Sequence, residues 1–452
     1  MMIGHASRRK GFRIAGMLLL FGILAGLVVW SGSVPGQKAG GDARLLSFQP
    51  FPEMDGEMCI FPASATMPLT AALSPLQAGA DEPHPSDDVR TAAAKRPAVR
   101  AIQDPHPAFS AVALDLTNDE VVLQDENTFG INIYNRTDNT APTASMTEPK
   151  RQIRGEDTFQ EFNCSVYVDP KNGDIYSVNN DTLGILTIYD RSARGNAAPK
   201  RMLATGGLYG IAADEETGEL FVTAQGGQIR VYRKEAQGRD RPIREIEGPK
   251  TEMADSHGMA IAPERGEIFV LNWGTGSKVG PVSGDGDSDG GFQEIPGSGY
   301  ADYPSITAFP KGASGDVAPL RVIKGPKTQL NWPTQVAVSA EHGEIFVAND
   351  TGNSITVYPI EAQGDVAPIR VIKGPKSRIS NPKGIAYDPK HDELFVANFS
   401  NHSATVYPRT ANGDVPPSRI IRSAPLETQA PMMGNPHTVV YNPVREEILV
   451  GQ

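Results

Sequence analysis

The stretch "GEIFVANDTGNSITVYPIEAQGDVAPIRVIKGPK", residues 343–376, is followed by a second copy, "DELFVANFSNHSATVYPRTANGDVPPSRIIRSAP", at 392–425. Each copy follows a short apolar run, as in "PKGIAYDP" at 382–389. In the second copy "GIAYD", "ELFVAN", "SATVYP" and "SRII" are separated by turn residues. Runs this short, rich in Val, Ile, Phe and Tyr and alternating in the third, as at Ile355 and Val357, read as strands and not helices.

Working outward, the proline of a "GDxxP" turn recurs at Pro319, Pro368 and Pro417. Weaker turns stand at "DNTAP" (Pro142), "GNAAP" (Pro199) and "GRDRP" (Pro242), and the interval from Pro242 to Pro319 holds one repeat plus an insertion. Four strands in a unit of about 40–50 residues mark a β-propeller blade. First-and-second-strand pairs are expected to begin near Ala111, Val166, Gly210, Gly258, Gln335, Gly384 and Thr438. Third-and-fourth pairs follow only the first six, so the missing pair is sought upstream. There "EMCIFP" (57–62) matches "SITVYP", and "RPAVRAI" (96–102) matches "APLRVI". The expectation is an all-β, seven-bladed propeller over residues 56–452, with insertions at 63–96 and 274–305. A six-bladed ring with a stray C-terminal hairpin is the alternative. Arg244, Arg321, Arg370 and Arg419 follow the turn proline by two residues. They read as charges that guard exposed edge strands against strand addition.

Composition agrees. The chain has 46 Gly and 37 Pro, spread at regular places as many short strands and turns require. A net charge of −11 argues against a phosphate-binding surface, so nucleic acid is not an expected partner. The two cysteines, Cys59 and Cys164, form no CxxC, and buried thiols are favoured over a disulfide. Arg8, Arg9, Lys10 and Arg13 precede an uncharged apolar run from Ile14 to Trp30. That charge order predicts export of everything after Trp30, with residues 1–30 as a membrane anchor or a cleaved signal and 31–55 as a linker. An anchored chain faces the periplasm; a cleaved one is secreted.

The combination "NPxGIAxD…xELFVAN…NSxTVYP" resembles the NHL-type and lactonase-like propeller repeats of exported bacterial proteins. The resemblance covers about residues 57–452 and implies a propeller that serves either as a binding scaffold or as an enzyme. Similarity to regucalcin and the gluconolactonases would imply a metal over the central tunnel, held by one Glu and several Asn or Asp. The lone acidic ligand of an early blade is not recognisable in this sequence.

In a propeller, the start of each first strand and the end of each second strand meet at one mouth of the channel, the default ligand site. The repeat alignment puts Ser110, Cys164, Tyr209, His257, Thr334, Lys383 and His437 at the first position. Asp125, Asn179, Ala224, Asn272, Asn349, Asn398 and Gln452 hold the second. The recurring Asn or Asp also suits a cap on its own turn. The first set varies from blade to blade, which turn chemistry does not require, so His257, Lys383, His437 and Tyr209 are candidate ligand contacts alongside Asn272, Asn349 and Asn398. Separately, "DGDSDGG" at 285–291 alternates Asp285, Asp287 and Asp289 before Gly290, the front half of a Ca²⁺ loop without its second half. No GxSxG, HExxH, P-loop or dinucleotide fingerprint occurs. The reading is an exported binding module for a protein, glycan or small molecule. A metal-dependent lactonase-like hydrolase is the alternative.

Overall fold

The computed structural model describes residues 98–104, 108–161, 163–180, 184–224, 226–274, 302–422 and 436–451. The chain divides into units at 1–55 and 56–452, and every described residue belongs to the second. The apolar run before Trp30, "EMCIFP" and the 285–291 loop lie outside the described residues. Among the described residues no helix is long and apolar enough to cross a membrane.

Blade 5 shows why the repeat folds as it does. Its strands are Pro333–Ser339, Glu344–Asn349, Ser354–Pro359 and Arg370–Ile372, hydrogen-bonded in that order as antiparallel neighbours. Successive side chains of a strand point to opposite faces. Ile345 and Val347 therefore pack with Phe269, Leu271 and Ile306 of the preceding blade, while Phe346 and Ala348 pack with Ile385, Leu394 and Val396 of the next. Both faces are buried, which is why the second strands read as unbroken apolar runs. The aromatic near the end of each third strand, at Tyr134, Tyr189, Phe309, Tyr358 and Tyr407, has no exposed surface. Each such side chain contributes about 1.5–3 kcal/mol of burial.

Six sheets have four strands, and a seventh, Thr438–Asn442 with Glu447–Gly451, has two among the described residues. The innermost strands of blades 1 to 7 are Phe109–Asp115, Asn163–Val168, Leu208–Asp214, Ser256–Ala262, Pro333–Ser339, Pro382–Asp388 and Thr438–Asn442. Each packs against the next, and Thr438–Asn442 packs against both Pro382–Asp388 and Phe109–Asp115. The last sheet thus stands in the ring as blade 7, and no stray hairpin is left over. In blades 1 to 6 the observed strands begin two or three residues before the expected starts because each opens with an irregular segment; in blade 7 the strand begins at Thr438 as expected.

Neighbouring blades are also held at the rim. The turn of blade 5 reaches back to the outer strand of blade 4: Gly364 N–H donates to Val322 O at 2.6 Å, and Lys324 N–H to Gly364 O at 3.2 Å. The adjacent Asp365 accepts from Lys327 N–H at 2.7 Å. Gly325, at φ +127°, leaves room for that carboxylate; a Cβ there would stand 2.5 Å from Asp365 Oδ1.

The rim arginines correct one expectation. Arg244, Arg321 and Arg370 are largely buried, and each bonds the Glu that opens the second strand of its own blade. The distances are 2.7 Å to Glu219, 2.6 Å to Glu267 and 2.7 Å to Glu344. Arg151 pairs with Glu120 at 2.8 Å, and Arg419 pairs with Glu393. These are clasps passing over the third strand, not bare charges guarding an edge. The next blade often adds a second cation: Arg409 reaches Glu344 at 2.8 Å, and Arg136 reaches Glu447 at 2.8 Å.

Blade 7 has the same clasp, made by a residue far upstream. Arg100 Nη2 lies 2.5 Å from Glu447, and Ile102 packs, as Val440 and Leu449 do, against the buried blade 1 cluster of Phe109, Val112, Val121, Leu123 and Tyr134. Ala101 O accepts from Thr140 N–H at 2.8 Å, joining this segment to blade 1. Residues 98–104 therefore bind the two ends of the ring together. Replacing Arg100 by Ala should lower unfolding free energy by about 1–3 kcal/mol, because it removes a charged hydrogen bond that ties residues 98–104 to blade 7 and leaves Glu447 with Arg136 as its remaining partner. Arg419→Ala, whose arginine is 44% exposed, should cost less than about 1 kcal/mol. Urea midpoints of the two variants check the order; equal small shifts would show that Arg100 closes nothing.

Candidate functional site

The first strand of blade 5 pairs Pro333 with Asn349 and Gln335 with Ala348, so Thr334 is an extra residue between them. The same irregularity recurs at the start of the first strand in blades 1 to 6. It isolates Ser110, Cys164, Thr334 and Lys383 singly, and Tyr209 and His257 each with a following glycine. A bulge bends the strand and re-aims the surplus side chain. The varied positions of the repeat are thus the ones the backbone releases from the sheet at this mouth. Gly258 permits the crowding there: a Cβ would come 2.5 Å from Thr334 O of the next blade.

Blades 4 to 6 share a second backbone feature beside the bulge. The residue two positions earlier, Asp255, Trp332 or Asn381, has φ of 54°, 52° or 45°. The left-handed conformation costs an ordinary residue on the order of 1–2 kcal/mol, least for Asn or Asp. Its carbonyl accepts a backbone N–H from the residue after the recurring Asn: Trp273, Asp350 or Phe399.

Two clusters result. In the first, His257 is stacked between Tyr209 and Trp273, with centroids 4.2 and 3.5 Å away. His257 Nε2 lies 3.1 Å from Asp255 Oδ1. Trp273 donates Nε1–H to Pro333 O at 2.7 Å and meets Trp332 edge-on at 4.8 Å. In the second, Lys383 Nζ bonds Asp350 Oδ2 at 2.6 Å and lies 5.5 Å above the Phe399 ring. Asn381 Nδ2–H donates to the other Asp350 oxygen at 3.1 Å. Phe399 meets His437 edge-on at 4.9 Å. Burial pushes the His437 imidazole down to about 4; the Lys383 ammonium adds to this and Asp350 opposes it. His437 is therefore neutral near pH 7 and can accept or donate one hydrogen bond at the mouth.

The structure thus brings Tyr209 and His257 together, and Lys383 near His437. Asn272, Asn349 and Asn398 stand elsewhere in the chemistry. Each is buried. Asn349 Oδ1 accepts from Asn331 N–H at 3.0 Å, and its Nδ2 donates to Thr356 Oγ1 at 2.9 Å. Asn398 bonds Ser380 N–H and Thr405, and Asn272 bonds Ala254 N–H and Thr307. These amides fasten the loop leading into the first strand over the blade. Asp285, Asp287 and Asp289, with the Ca²⁺ expectation, lie outside the described residues. Among the described residues no group of three or more His, Cys, Asp or Glu could hold a metal ion.

Sequence reading missed Asp255, Trp273, Trp332, Asp350, Asn381 and Phe399. Their signal was available: they flank the candidate positions at fixed offsets, and their chemistry varies while the neighbouring Asn does not. A cavity of about 630 Å³ lies away from this mouth, against the blade 4 rim strand at Pro319, Val322 and Lys324 and the turn residue Gln363. Its Arg321 is already committed to Glu267.

A family model described as "Lactonase, 7-bladed beta-propeller" matches residues 321–451, from the outer strand of blade 4 through blade 7. No curated relative matches the chain.

The second cluster makes a titration prediction. Removing the ammonium with Lys383→Met should raise the His437 pKa from about 4 toward its unperturbed value near 6.5. The shift is read from the imidazole C–H signals by NMR. An unchanged pKa would separate the two residues electrostatically.

Proposed function

We propose that this propeller is a binding module whose ligand, a small molecule or glycan, seats at the mouth formed by the bulged residues of blades 3 to 6 and by His437 of blade 7. The carrying observation is the repeated bulge: it frees one chemically variable residue per blade at the same end of the ring. Aromatic faces at Tyr209, Trp273 and Trp332 suit the apolar face of a ring-shaped ligand. The Lys383–Asp350 pair and His437 supply hydrogen-bonding groups beside them. The export expected from Arg8, Arg9, Lys10 and Arg13 would place this mouth outside the cytoplasm.

A second reading has its own support. The lactonase family match covers Lys383, Asp350 and His437, the polar half of the mouth. Under that reading the mouth opens a cyclic ester, with a metal ion polarising its carbonyl if one is bound.

Two experiments separate these readings. A glycan array and a small-molecule thermal-shift panel, applied to residues 56–452, should give hits that His257→Ala and Lys383→Ala each weaken at least about tenfold, with the melting midpoint nearly unchanged. Hits indifferent to both substitutions would move the ligand elsewhere. A δ-lactone assay with and without chelator tests the hydrolase: turnover lost in His437→Ala would establish it, and no turnover in either condition would leave the binding module.

Location is tested independently. A reporter that fluoresces only in the cytoplasm, fused after Gln452, should remain dark. A bright fusion would refute export.

A further inference from the structure

We infer that the mouth takes an uncharged pyranose ring with Trp332 as its stacking platform, an assignment that rests on the mouth being the ligand site. The backbone at Trp332 carries the argument. At φ 52° it occupies the left-handed region, which crowds the Cβ of every residue but glycine. Asn and Asp bear that crowding best, and the neighbouring blades use them: Asp255 holds the position at 54° and Asn381 at 45°. The blade 5 loop therefore needs nothing larger than Asn, yet it carries the bulkiest of side chains. Strain of this kind marks ligand clamps and active sites, where function and not folding selects the residue. Trp332 is half-buried and meets Trp273 edge-on at 4.8 Å; Trp273 continues the stack through His257 to Tyr209.

Charge decides the ligand class. Lys383 is the one lysine or arginine at the bulges of blades 1 to 6, and Asp350 holds it at 2.6 Å. The other Asp350 oxygen accepts from Asn381 at 3.1 Å, and Asp255 lies 3.1 Å from His257. A phosphate or carboxylate would have to displace Asp350 and would meet a like charge in Asp255. An ammonium would have to displace Lys383 or His257. A neutral ring disturbs neither pair. The C–H face of a pyranose covers an indole as an apolar plate does. Its hydroxyls then meet groups of matching chemistry. The Thr334 hydroxyl donates to Pro382 O at 3.1 Å, and its oxygen can accept in turn. His437, neutral near pH 7, offers one donor and one acceptor. A hydrocarbon ring would cover the indole equally well and leave those groups unpaired.

The test titrates the full chain by calorimetry with methyl glucoside, methyl galactoside and methyl mannoside, and with glucuronate and glucosamine as charged counterparts. At least one methyl pyranoside should bind, about tenfold or more tightly than either charged sugar. Trp332→Asn, which gives blade 5 the blade 6 residue, should weaken that binding about tenfold or more, and Trp332→Phe about threefold or less. Both variants should melt within about 2 °C of the parent. Binding lost in His257→Ala but indifferent to Trp332→Asn would keep the mouth and overturn the platform. Binding indifferent to both would overturn the mouth as well. A preference for glucuronate or glucosamine would overturn the uncharged class, as would no heat from any pyranoside at about 50 mM. A Trp332→Asn midpoint far below the parent would make the indole a structural prop and overturn the platform, whatever the binding.

Discussion

A sheet whose two faces are both apolar must have a neighbour on each side, and this requirement organises the whole molecule. Ile345 and Val347 face one way in blade 5, Phe346 and Ala348 the other, and neither pair has water beside it. Stacking blades in a row satisfies every sheet but the first and last. Sheets twist, so successive blades turn around an axis and the two unsatisfied faces come to meet. Phe109, Val112 and Leu123 of blade 1 accordingly pack with Val440 and Leu449 of blade 7. The ring follows from the burial, and the mouth follows from the ring.

The clasps act on the same junctions from outside. Burial alone would raise the Glu120 carboxyl, but hydrogen bonds from Arg151 and Lys150 outweigh it and hold the group at about 2. Glu267, Glu344 and Glu447 are depressed in the same way, burial opposing and arginines prevailing. A carboxylate depressed on folding contributes its full stability above its unfolded value, and loses it as pH falls through the folded one. For Glu120 that window runs from about 4.5 down to about 2, so its clasp is fully engaged throughout the neutral and mildly acid range. The glutamates are thus both the hubs of the rim and the groups through which strong acid would open it.

Strand identity was legible because strands repeat. Runs such as "EIFVAN" and "SITVYP" state their length and turns directly, and the copies at 343–376 and 392–425 fix the register of the weaker ones. The arginines were legible as residues but not as contacts. Their partner glutamates lie 25 to 54 positions upstream, and nothing local in "PLRVI" says that Arg321 will cross a strand to Glu267. At the mouth, the varying positions were visible as exceptions within a repeat. The bulge was not, because one surplus residue is invisible until two strands are paired. Trp332 shows the limit well: its left-handed backbone is set by the loop it closes and not by any propensity of tryptophan. The asparagines illustrate the converse: they recur in most blades, and in blades 4 to 6 each accepts a backbone N–H from the loop leading into its first strand.

The repeated bulge has a consequence for how such a protein changes over time. A residue within a ladder is constrained by the facing strand, the adjacent sheet and the alternation of faces. Thr334, Lys383 and His257 stand where that pairing is interrupted, so side-chain size and charge there answer to one another around the mouth and not to a ladder partner. Six blades offer six such sites about one axis, each exchangeable without renegotiating the fold. Specificity and foldability are thereby inherited through different residues, and a lineage can rewrite the first while leaving the second untouched.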